Sequence, residues 1–519
     1  MLSVSRQELL AKKPEITSEV GIYAKVILVT LLAAVVIYIV LPLLGVPGLK
    51  SLFLPQNLWL LAGVSMFVAF YTFYWEWIVR KKELLFGICI VGFPVINYIS
   101  VCLSTTGISL PVRVLTVPFI LFPSLMFTVS LFPVLYKRFP FFKFFLAFLI
   151  WITFYYFFYN VNYTFQTQSA LFDQSLNQGL IALPFVFNIL GSCLSIGMTF
   201  FLFQSHNAPR QLFYKINTLV AIYCIALAVS GIIGYQAGYF VMDIEGVKRF
   251  SSIFAHPNPC AFNMGLLSIY MFISYFTSLS DQTVSMKATL FLTAALATLL
   301  CVLLTLSKTI IIVYFVCMLF FLLLNIRFFA QMGISIAKIK ALIIPSVIAI
   351  GVIIALSGQG FMELFSNRFD NDNSYNWRLL VWENLLKDID SYTLFLGHGF
   401  TSATEKTAQL LFSDSYKEST SPIYPHNIFI QFIYEFGMGS LAFILVFISL
   451  ALESIKKMNV PNLRYEAQIM YSGILCFCLY YIVFFYFNNL PPVETSSYWL
   501  LISILAVTGS MLSTERVAS

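Results

Sequence analysis

Charge is scarce in this chain. Of its 519 residues only 10% are charged, while 60% are hydrophobic and the mean hydropathy is +0.87. A soluble protein of this length could not bury so much apolar surface in its own core, so we exclude the soluble class and take a lipid bilayer as the solvent. Uncharged runs such as 27–44 and 343–356 satisfy their backbone polar groups only as helices. The composition predicts an all-α polytopic membrane protein.

Other features that are absent exclude further classes. The nine cysteines avoid the segment 358–425, and the spacing of Cys476 and Cys478 fits neither a metal site nor a redox motif, so we interpret them as small apolar core residues. We find no cluster of carboxylates at a metal-ligand spacing and predict no metal and no cofactor. The net charge of +7 resides in short loops, so no nucleic-acid partner is expected. No small-residue cleavage site follows the first apolar run, which is expected to be a retained span.

Apolar runs of about twenty residues are long enough to cross a bilayer as helices. They predict about fourteen transmembrane helices. The predicted spans are 22–44, 57–79, 84–103, 112–136, 141–160, 179–204, 212–235, 260–279, 288–306, 309–329, 336–357, 427–452, 467–487 and 497–513.

Charge alternates between the loops of this arrangement. With both termini cytoplasmic, twenty of the thirty Lys and Arg residues lie on the cytoplasmic side, as the positive-inside bias requires. The loop 358–425, with nine acids and five bases, is then extracytoplasmic. The predicted organisation is N-terminal membrane helices at 1–240, membrane helices with two cationic outer turns at 241–357, the large outer loop at 358–425, and C-terminal membrane helices at 426–519.

Basic residues that remain on the outer side are candidates for binding anions. Lys248 and Arg249 precede His256-Pro257-Asn258 at a membrane boundary, where cations meet headgroups or diphosphates. Lys308 stands at the start of a predicted helix, whose dipole also favours an anion. Snorkelling of these side chains to the interface is an equally good interpretation.

The segment 376–390 has the periodicity of a short amphipathic helix. Glu383, Lys387 and Asp390 share one face, whereas Arg378 falls on the apolar stripe with Trp382, Leu385 and Ile389. We expect the helix to lie against the membrane domain with Arg378 turned inward, towards an anion. The alternative is an ion pair with a loop carboxylate, Asp370 or Asp372.

The segment 425–439 joins the loop to the twelfth predicted span. Asn427 is a good N-cap, so His426 would stand at a helix N-terminus, where the dipole disfavours imidazolium and free N–H groups face phosphate oxygens. A neutral imidazole is what a general base requires. Glu435 inside the bilayer needs a partner, and Gly437 and Gly439 permit close helix approach. Taken alone, His426 is more often an interfacial residue than a catalyst.

These pieces, in this order, resemble the bacterial O-antigen ligase and polymerase superfamily over about residues 245–500. His426-Asn427 followed by Gly437 matches its hallmark, although the second glycine falls at Gly439. Arg249 with His256-Pro257-Asn258, Ser307-Lys308, and Arg378 with Trp382 and Gly397-His398-Gly399 are also similar to the family pattern, which usually has arginine in place of Lys308.

The resemblance implies a fold like that of GT-C glycosyltransferases and a metal-independent reaction at the outer face of the bacterial inner membrane. A glycan would pass from undecaprenyl diphosphate to an acceptor hydroxyl, with His426 as the base and Arg249, Arg378 and Lys308 at the diphosphate. His256, Asn427, Glu435 and Lys248 are further substrate-binding candidates. The implied partners are the lipid-linked oligosaccharide donor, a glycan or lipid A-core acceptor, membrane lipids and a possible chain-length regulator.

Several functions stay open on the sequence. The number of spans and the long loop favour a surface-polysaccharide polymerase, while a ligase acting on lipid A-core is the alternative. A polysaccharide or lipid transporter would carry charges near the bilayer midplane in matched halves, and we find no clear internal repeat. A purely structural scaffold would leave the ordered motifs without a role.

Overall fold

The computed structural model describes residues 131–154, most of 196–238, 241–244, 247–252, 257–279, 286–331, 373–399, 402–411, 425–487 and 495–513. The predicted spans 22–44, 57–79, 84–103 and 336–357 lie outside the described residues, as does His256. The chain forms two compact units, one of residues 1–205 with 495–500 and one of residues 206–494 with 501–519.

The structure gives the bounds of twelve helices and one two-stranded hairpin, and residues 131–138 and 201–204 are also helical. They are α1 (Pro140–Phe154), α2 (Pro209–Gln236), β1 (Val241–Ile244), β2 (Val247–Phe250), α3 (Pro257–Ser278), α4 (Met286–Leu304), α5 (Lys308–Gln331), α6 (Asn373–Lys387), α7 (Ser391–Leu396), α8 (Ser402–Leu411), α9 (Ile428–Phe436), α10 (Gly439–Met458), α11 (Tyr465–Phe487) and α12 (Thr495–Leu512).

Among the described residues, six helices are long and apolar enough to cross a membrane: α2, α3, α4, α5, α10 and α11. Two of them are central, because α3 is 94% buried and α11 78% buried over their apolar windows. The other four are buried over half of the window or less and present apolar surface outward. The expected all-α membrane architecture is confirmed for this part of the chain.

The two central helices approach each other closely through glycines. A Cβ at Gly265 would collide with the Tyr480 hydroxyl, and one at Gly473 would lie 2.6 Å from Ile273 Cδ1. Small residues let helix backbones approach, and interhelical hydrogen bonds add to the packing inside a membrane. Asn325 Nδ2 on α5 donates such a bond to Ser472 Oγ on α11 over 2.7 Å. Contacts of this kind hold α3 and α11 together and join α5 to α11.

One predicted span is wrong. The run 427–452 was expected to be one helix, but it forms the short α9 and the longer α10, with a break at Gly437 and Met438. Gly437 ends α9 with a φ of +56°, a conformation that glycine adopts at no steric cost. Hydropathy runs straight through this break, because both flanking helices are apolar.

Several basic residues lie together at one end of the bundle. At the end where α11 begins, Glu466 accepts ion pairs from Arg210 Nη2 at 3.0 Å and from Arg464 Nη2 at 3.6 Å, and Lys456 and Lys457 lie in the last turn of α10. These cations are the ones predicted to be cytoplasmic. Helix α11 begins at this end and runs to the opposite end of the bundle, where Phe484 and Tyr486 lie. Residues that pack around Phe484 and Tyr486 are therefore at the end opposite Glu466.

Candidate active site

Helices α6 to α9 form a cap with a small core of its own. We call these four helices the cap; its buried residues are Val381, Trp382, Leu385, Ala403 and Tyr434. The opposite face of α6 is solvated, and Lys387 Nζ lies 2.7 Å from Glu383 Oε1 in an exposed pair. The amphipathic helix predicted at 376–390 is present with its apolar stripe inward, but it spans Asn373–Lys387, and Asp390 caps the following helix α7 instead of sharing its polar face.

Arg378 lies at the edge of that apolar stripe. Its side chain is half-buried, and burial lowers the pKa of the guanidinium below its ordinary value. Its Cζ atom is 5.7 Å from the centre of the Trp377 ring. A desolvated guanidinium interacts more strongly with an anion than an exposed one does. The alternative partners Asp370 and Asp372 lie outside the described residues.

His426 is held in a strained backbone conformation immediately before α9. Its φ is +55°, in the left-handed region that few residues other than glycine adopt, and histidine is among those enriched there. Trp382 Nε1 donates to the carbonyl of Pro425, the preceding residue, over 2.6 Å. The Trp377 ring meets the imidazole edge to face with 5.4 Å between ring centres. Two tryptophans of α6 thus fix where the histidine stands.

Asn427 caps α9 as predicted. Its Oδ1 accepts hydrogen bonds from the backbone N–H of Phe429 at 3.0 Å and of Ile430 at 3.1 Å. Because Asn427 is the N-cap residue, His426 lies just outside the first turn of α9, next to the positive end of the helix dipole. Glu435, at the other end of α9, is 3% exposed and accepts from Gln431 Nε2 over 3.1 Å.

The Gly397-His398-Gly399 segment is joined to the end of α9 backbone to backbone. His398 N donates to Tyr434 O over 2.8 Å, Gly399 N to Glu435 O over 2.9 Å, and Met438 N to Phe395 O over 3.2 Å. A Cβ at Gly397 would collide with the Glu435 carbonyl, and one at Gly437 would lie 2.6 Å from Phe395 O. We call this contact the glycine junction. Both glycine motifs are evident in the sequence, but their contact with each other is not.

Side chains reinforce the glycine junction. The His398 ring stacks on Tyr434 with 4.2 Å between centres, and the Tyr434 hydroxyl donates to Asp388 Oδ2 over 2.7 Å. Lys406 Nζ lies 3.2 Å from the same carboxylate oxygen. The hydrogen bond from Tyr434, followed by the contact with Lys406, holds the pKa of Asp388 below its usual range.

Arg249 occupies a second cluster, in the turns beside α3 and α5. It is 2% exposed, its Nε donates to Thr305 O over 2.8 Å, and its Nη2 donates to Asn258 Oδ1 over 3.2 Å. Ser307 Oγ donates to the same Asn258 oxygen over 3.1 Å. We call these four residues the arginine cluster. Snorkelling to the interface is therefore wrong for Arg249.

The structure describes Lys248 and Lys308, the other cations predicted on the outer side, to different extents. Lys248 is exposed, in keeping with a snorkelling residue. Lys308 opens α5 in the turn that carries Thr305 and Ser307, but its side chain lies outside the described residues. Sequence reasoning missed Thr305, whose role depends on a backbone carbonyl that no side-chain motif reveals.

Backbone strain collects at the candidate residues. Among the described residues four that are not glycine have a positive φ, and three of them are Ser252, Leu306 and His426. Ser252 follows Arg249 by three residues, and Leu306 lies between Thr305 and Ser307. Such conformations cost about 1–3 kcal/mol each and cluster at functional sites. Strained backbone is therefore found both at the arginine cluster and at His426.

The arginine cluster and the cap lie at the same end of α11. Phe262, one turn beyond Asn258 on α3, contacts the ring of Phe484 with 3.9 Å between centres. From the cap, Trp382 meets Tyr486 at 5.5 Å and Phe429 meets Phe485 at 6.3 Å. That His426, Arg249 and Arg378 face a single cavity stays a prediction.

Metal ligands do not group in the part of the chain that the structure describes, where no three of the His, Cys, Asp and Glu residues come together as a metal site would require. The six cysteines within that part are buried and form no disulfide with one another, as expected for apolar core residues.

Residues 293–447 match a protein-family model described as O-antigen ligase. The matched segment contains Lys308, Arg378, His426 and Glu435, whereas Arg249 and Lys248 precede it. A comparison with curated proteins found no match.

Proposed function

We propose that this chain, in which residues 293–447 match a family model described as O-antigen ligase, transfers a glycan from a polyprenyl diphosphate to an acceptor hydroxyl. The observation that carries the proposal is His426, presented in a strained conformation at the start of α9 inside the matched segment. The donor proposed is undecaprenyl-diphosphate-linked oligosaccharide, and the reaction needs no metal or cofactor.

His426 acts as the general base. The imidazole takes the proton from the acceptor hydroxyl while that oxygen attacks the anomeric carbon of the donor glycan. The bond between the anomeric carbon and the diphosphate oxygen breaks, and the lipid diphosphate leaves with the bonding electrons. Attack from the face opposite the leaving group inverts the configuration. General bases of this kind contribute on the order of 10²- to 10⁴-fold to a rate.

Cations offset the charge that develops on the leaving diphosphate. Arg378 is half-buried on α6, one residue after Trp377, whose ring contacts His426. We propose that Arg378 contacts the diphosphate directly and that its partial desolvation strengthens the attraction. Arg249 supplies a fixed positive charge, because two hydrogen bonds within the arginine cluster hold its guanidinium in place. Lys308 adds a cation at the N-terminus of α5. Lys248 and His256 are proposed to bind substrate at the same turns.

Asn427 and Glu435 act at the two ends of α9. Asn427 sets the start of the helix beside His426, since its Oδ1 is committed to two backbone donors. Glu435 is buried beside the glycine junction and accepts from Gln431. We propose that both keep α9 in register with the cap, in addition to any contact with substrate.

The test uses purified protein and a lipid-linked repeat unit. His426→Gln and His426→Ala are expected to lower transfer by about 10²-fold or more. The matched control is His206→Asn, at the other end of the bundle beside the start of α2, which is expected to keep full transfer. Normal surface polysaccharide in cells that produce well-folded His426→Ala protein would contradict the catalytic role, and it would reopen the transporter reading.

Two acceptors remain as candidates. We place polymerisation first, where the acceptor is a growing lipid-linked chain. The second candidate is a ligase that transfers the glycan to lipid A-core, and the family description as O-antigen ligase supports it. Incubation with lipid-linked repeat units alone distinguishes them. A ladder of products supports the polymerase, whereas product that forms only after lipid A-core is added supports the ligase.

We propose the bacterial inner membrane as the location, with both termini cytoplasmic and the cap on the extracytoplasmic side. The apolar helices and the family fit an integral membrane protein, and the basic end of the bundle fits the cytoplasmic side under the positive-inside bias. A chain-length regulator is a further proposed partner.

A further inference from the structure

Helix α7 carries an exposed apolar surface although it is too short to span a membrane. Tyr392 is 61% exposed, Leu394 49% and Phe395 54%. Soluble surfaces scatter such residues singly, whereas a contiguous group on one helix marks a surface that contacts something apolar. Charged residues stop just before it, since Lys387, Asp388 and Asp390 all precede the first residue of α7.

This surface continues the lipid-facing stripe of α10. Along that helix Leu441, Leu445, Ile448, Leu452 and Ile455 are each between 38% and 61% exposed, at the spacing of three and four residues that defines one helical face. Because α10 is long and apolar enough to cross the membrane, this face is the one that meets lipid.

The connection between the two surfaces is direct. Met438, one residue before α10, is 46% exposed, and its N–H donates to the carbonyl of Phe395 over 3.2 Å. The glycine junction thus places the C-terminal end of α7 against the first turn of α10. The apolar stripe passes from Leu441 through Met438 to α7 without a charged residue among its exposed members.

We propose that α7 inserts into the membrane surface beside the end of α10, with Leu394 and Phe395 among the acyl chains and Tyr392 at headgroup level. The occupant of the surface is the bilayer itself. Tyrosine prefers the boundary between headgroups and acyl chains, and short amphipathic elements lie in that plane. Asp390, which caps α7 by accepting from Thr393 N over 2.7 Å, marks the aqueous side of the boundary.

This contact anchors the cap at a fixed depth. The glycine junction joins α7 to α9, and His426 lies just before the first turn of α9. Insertion of α7 therefore sets the height of His426 above the bilayer. The inference concerns the membrane contact alone and does not require that the chain transfer glycans.

Spin labels on cysteine variants of the full chain, reconstituted in liposomes of bacterial phospholipids, test the proposal. Leu394→Cys and Phe395→Cys report on α7, Leu445→Cys is the lipid-exposed control on α10, and Lys387→Cys, exposed on α6, is the aqueous control. The unsubstituted protein gives the background from the chain's own cysteines. Collisions with oxygen, which dissolves in the bilayer, are compared with collisions with a water-soluble nickel complex.

The ratio of oxygen to nickel collisions at positions 394 and 395 is expected to exceed that at 387 several-fold and to approach that at 445. A ratio equal to that at 387 would mean that α7 faces water and would overturn the proposal. Protection from both reagents, or spin–spin broadening between copies, would mean that protein covers the surface and would overturn it equally. The two α7 positions are read separately, so one poorly folded variant leaves the test intact.

Discussion

At the scale of single residues, the geometry assigns Trp382 a task that hydropathy could not reveal. It belongs to the core of the cap, yet its indole N–H donates to the carbonyl that precedes His426. A buried hydrogen bond of this kind is worth about 0.5–1.5 kcal/mol. Here the bond stabilises the left-handed conformation of the histidine.

Trp382→Phe is therefore expected to lower kcat by about 2- to 10-fold, the equivalent of that one hydrogen bond, while KM for the lipid-linked donor stays close to its original value. Phenylalanine keeps an aromatic ring in the cap core but leaves the buried carbonyl of Pro425 without its donor, so the melting temperature should fall as well. Steady-state kinetics and thermal unfolding in detergent are the measurements. A change confined to KM would argue against a role in positioning His426.

Arg249 leads to a second prediction at this scale. Lysine keeps the charge but cannot donate along both directions of the guanidinium fork. Arg249→Lys therefore leaves Thr305 O without its side-chain donor if the lysine turns to Asn258, an oxygen that Ser307 Oγ also supplies. An unsatisfied buried acceptor costs about 1–3 kcal/mol, and we expect a lowered melting temperature together with reduced transfer. Lys248→Gln, at an exposed neighbour on the same strand, should leave the melting temperature unchanged. Equal stability of the two variants would contradict the structural role of Arg249.

Elements show which features of the fold a sequence can predict. The amphipathic pattern of α6 and the cap residue of α9 both follow from local rules of periodicity and hydrogen bonding, and the structure has both. The break between α9 and α10 does not follow from such rules. At Gly437, where α9 ends, the backbone packs closely against the carbonyl of Phe395, a residue distant in the chain. The partners of Arg249 were hidden for the same reason, since Thr305 contributes only its backbone.

The glycine junction gives a prediction at the element scale. Gly397→Ala places a methyl group against the Glu435 carbonyl and strains a φ of +75°, so it should separate α7 from α9. Gly238→Ala is the matched control, because Gly238 has a φ of +82° but nothing within 4 Å of the added Cβ. We expect faster proteolysis within the cap and lower transfer for Gly397→Ala than for Gly238→Ala. Similar losses in the two variants would show that backbone strain, and not the junction, is responsible.

At the scale of the whole molecule, the two ends of the described helical bundle carry different groups of residues. One end of α11 carries the arginine pair on Glu466, and the other carries the cap and the arginine cluster. Charge statistics in the sequence distinguish such ends only by counting loops, whereas the packing along α11 identifies the residues at each end directly. The remaining step is to assign each end to a side of the membrane.

A membrane-impermeant maleimide on cysteine variants in spheroplasts makes that assignment. Lys387→Cys, exposed on the cap, is expected to react in sealed spheroplasts, while Lys456→Cys, exposed in the last turn of α10, should react only after permeabilisation. The reason is the positive-inside bias, which retains the basic end of the bundle in the cytoplasm. The unsubstituted protein, whose described cysteines are all buried, sets the background. The reverse pattern would place the cap in the cytoplasm, away from any acceptor at the outer face, and would remove the proposed glycan transfer there whatever the chemistry of His426.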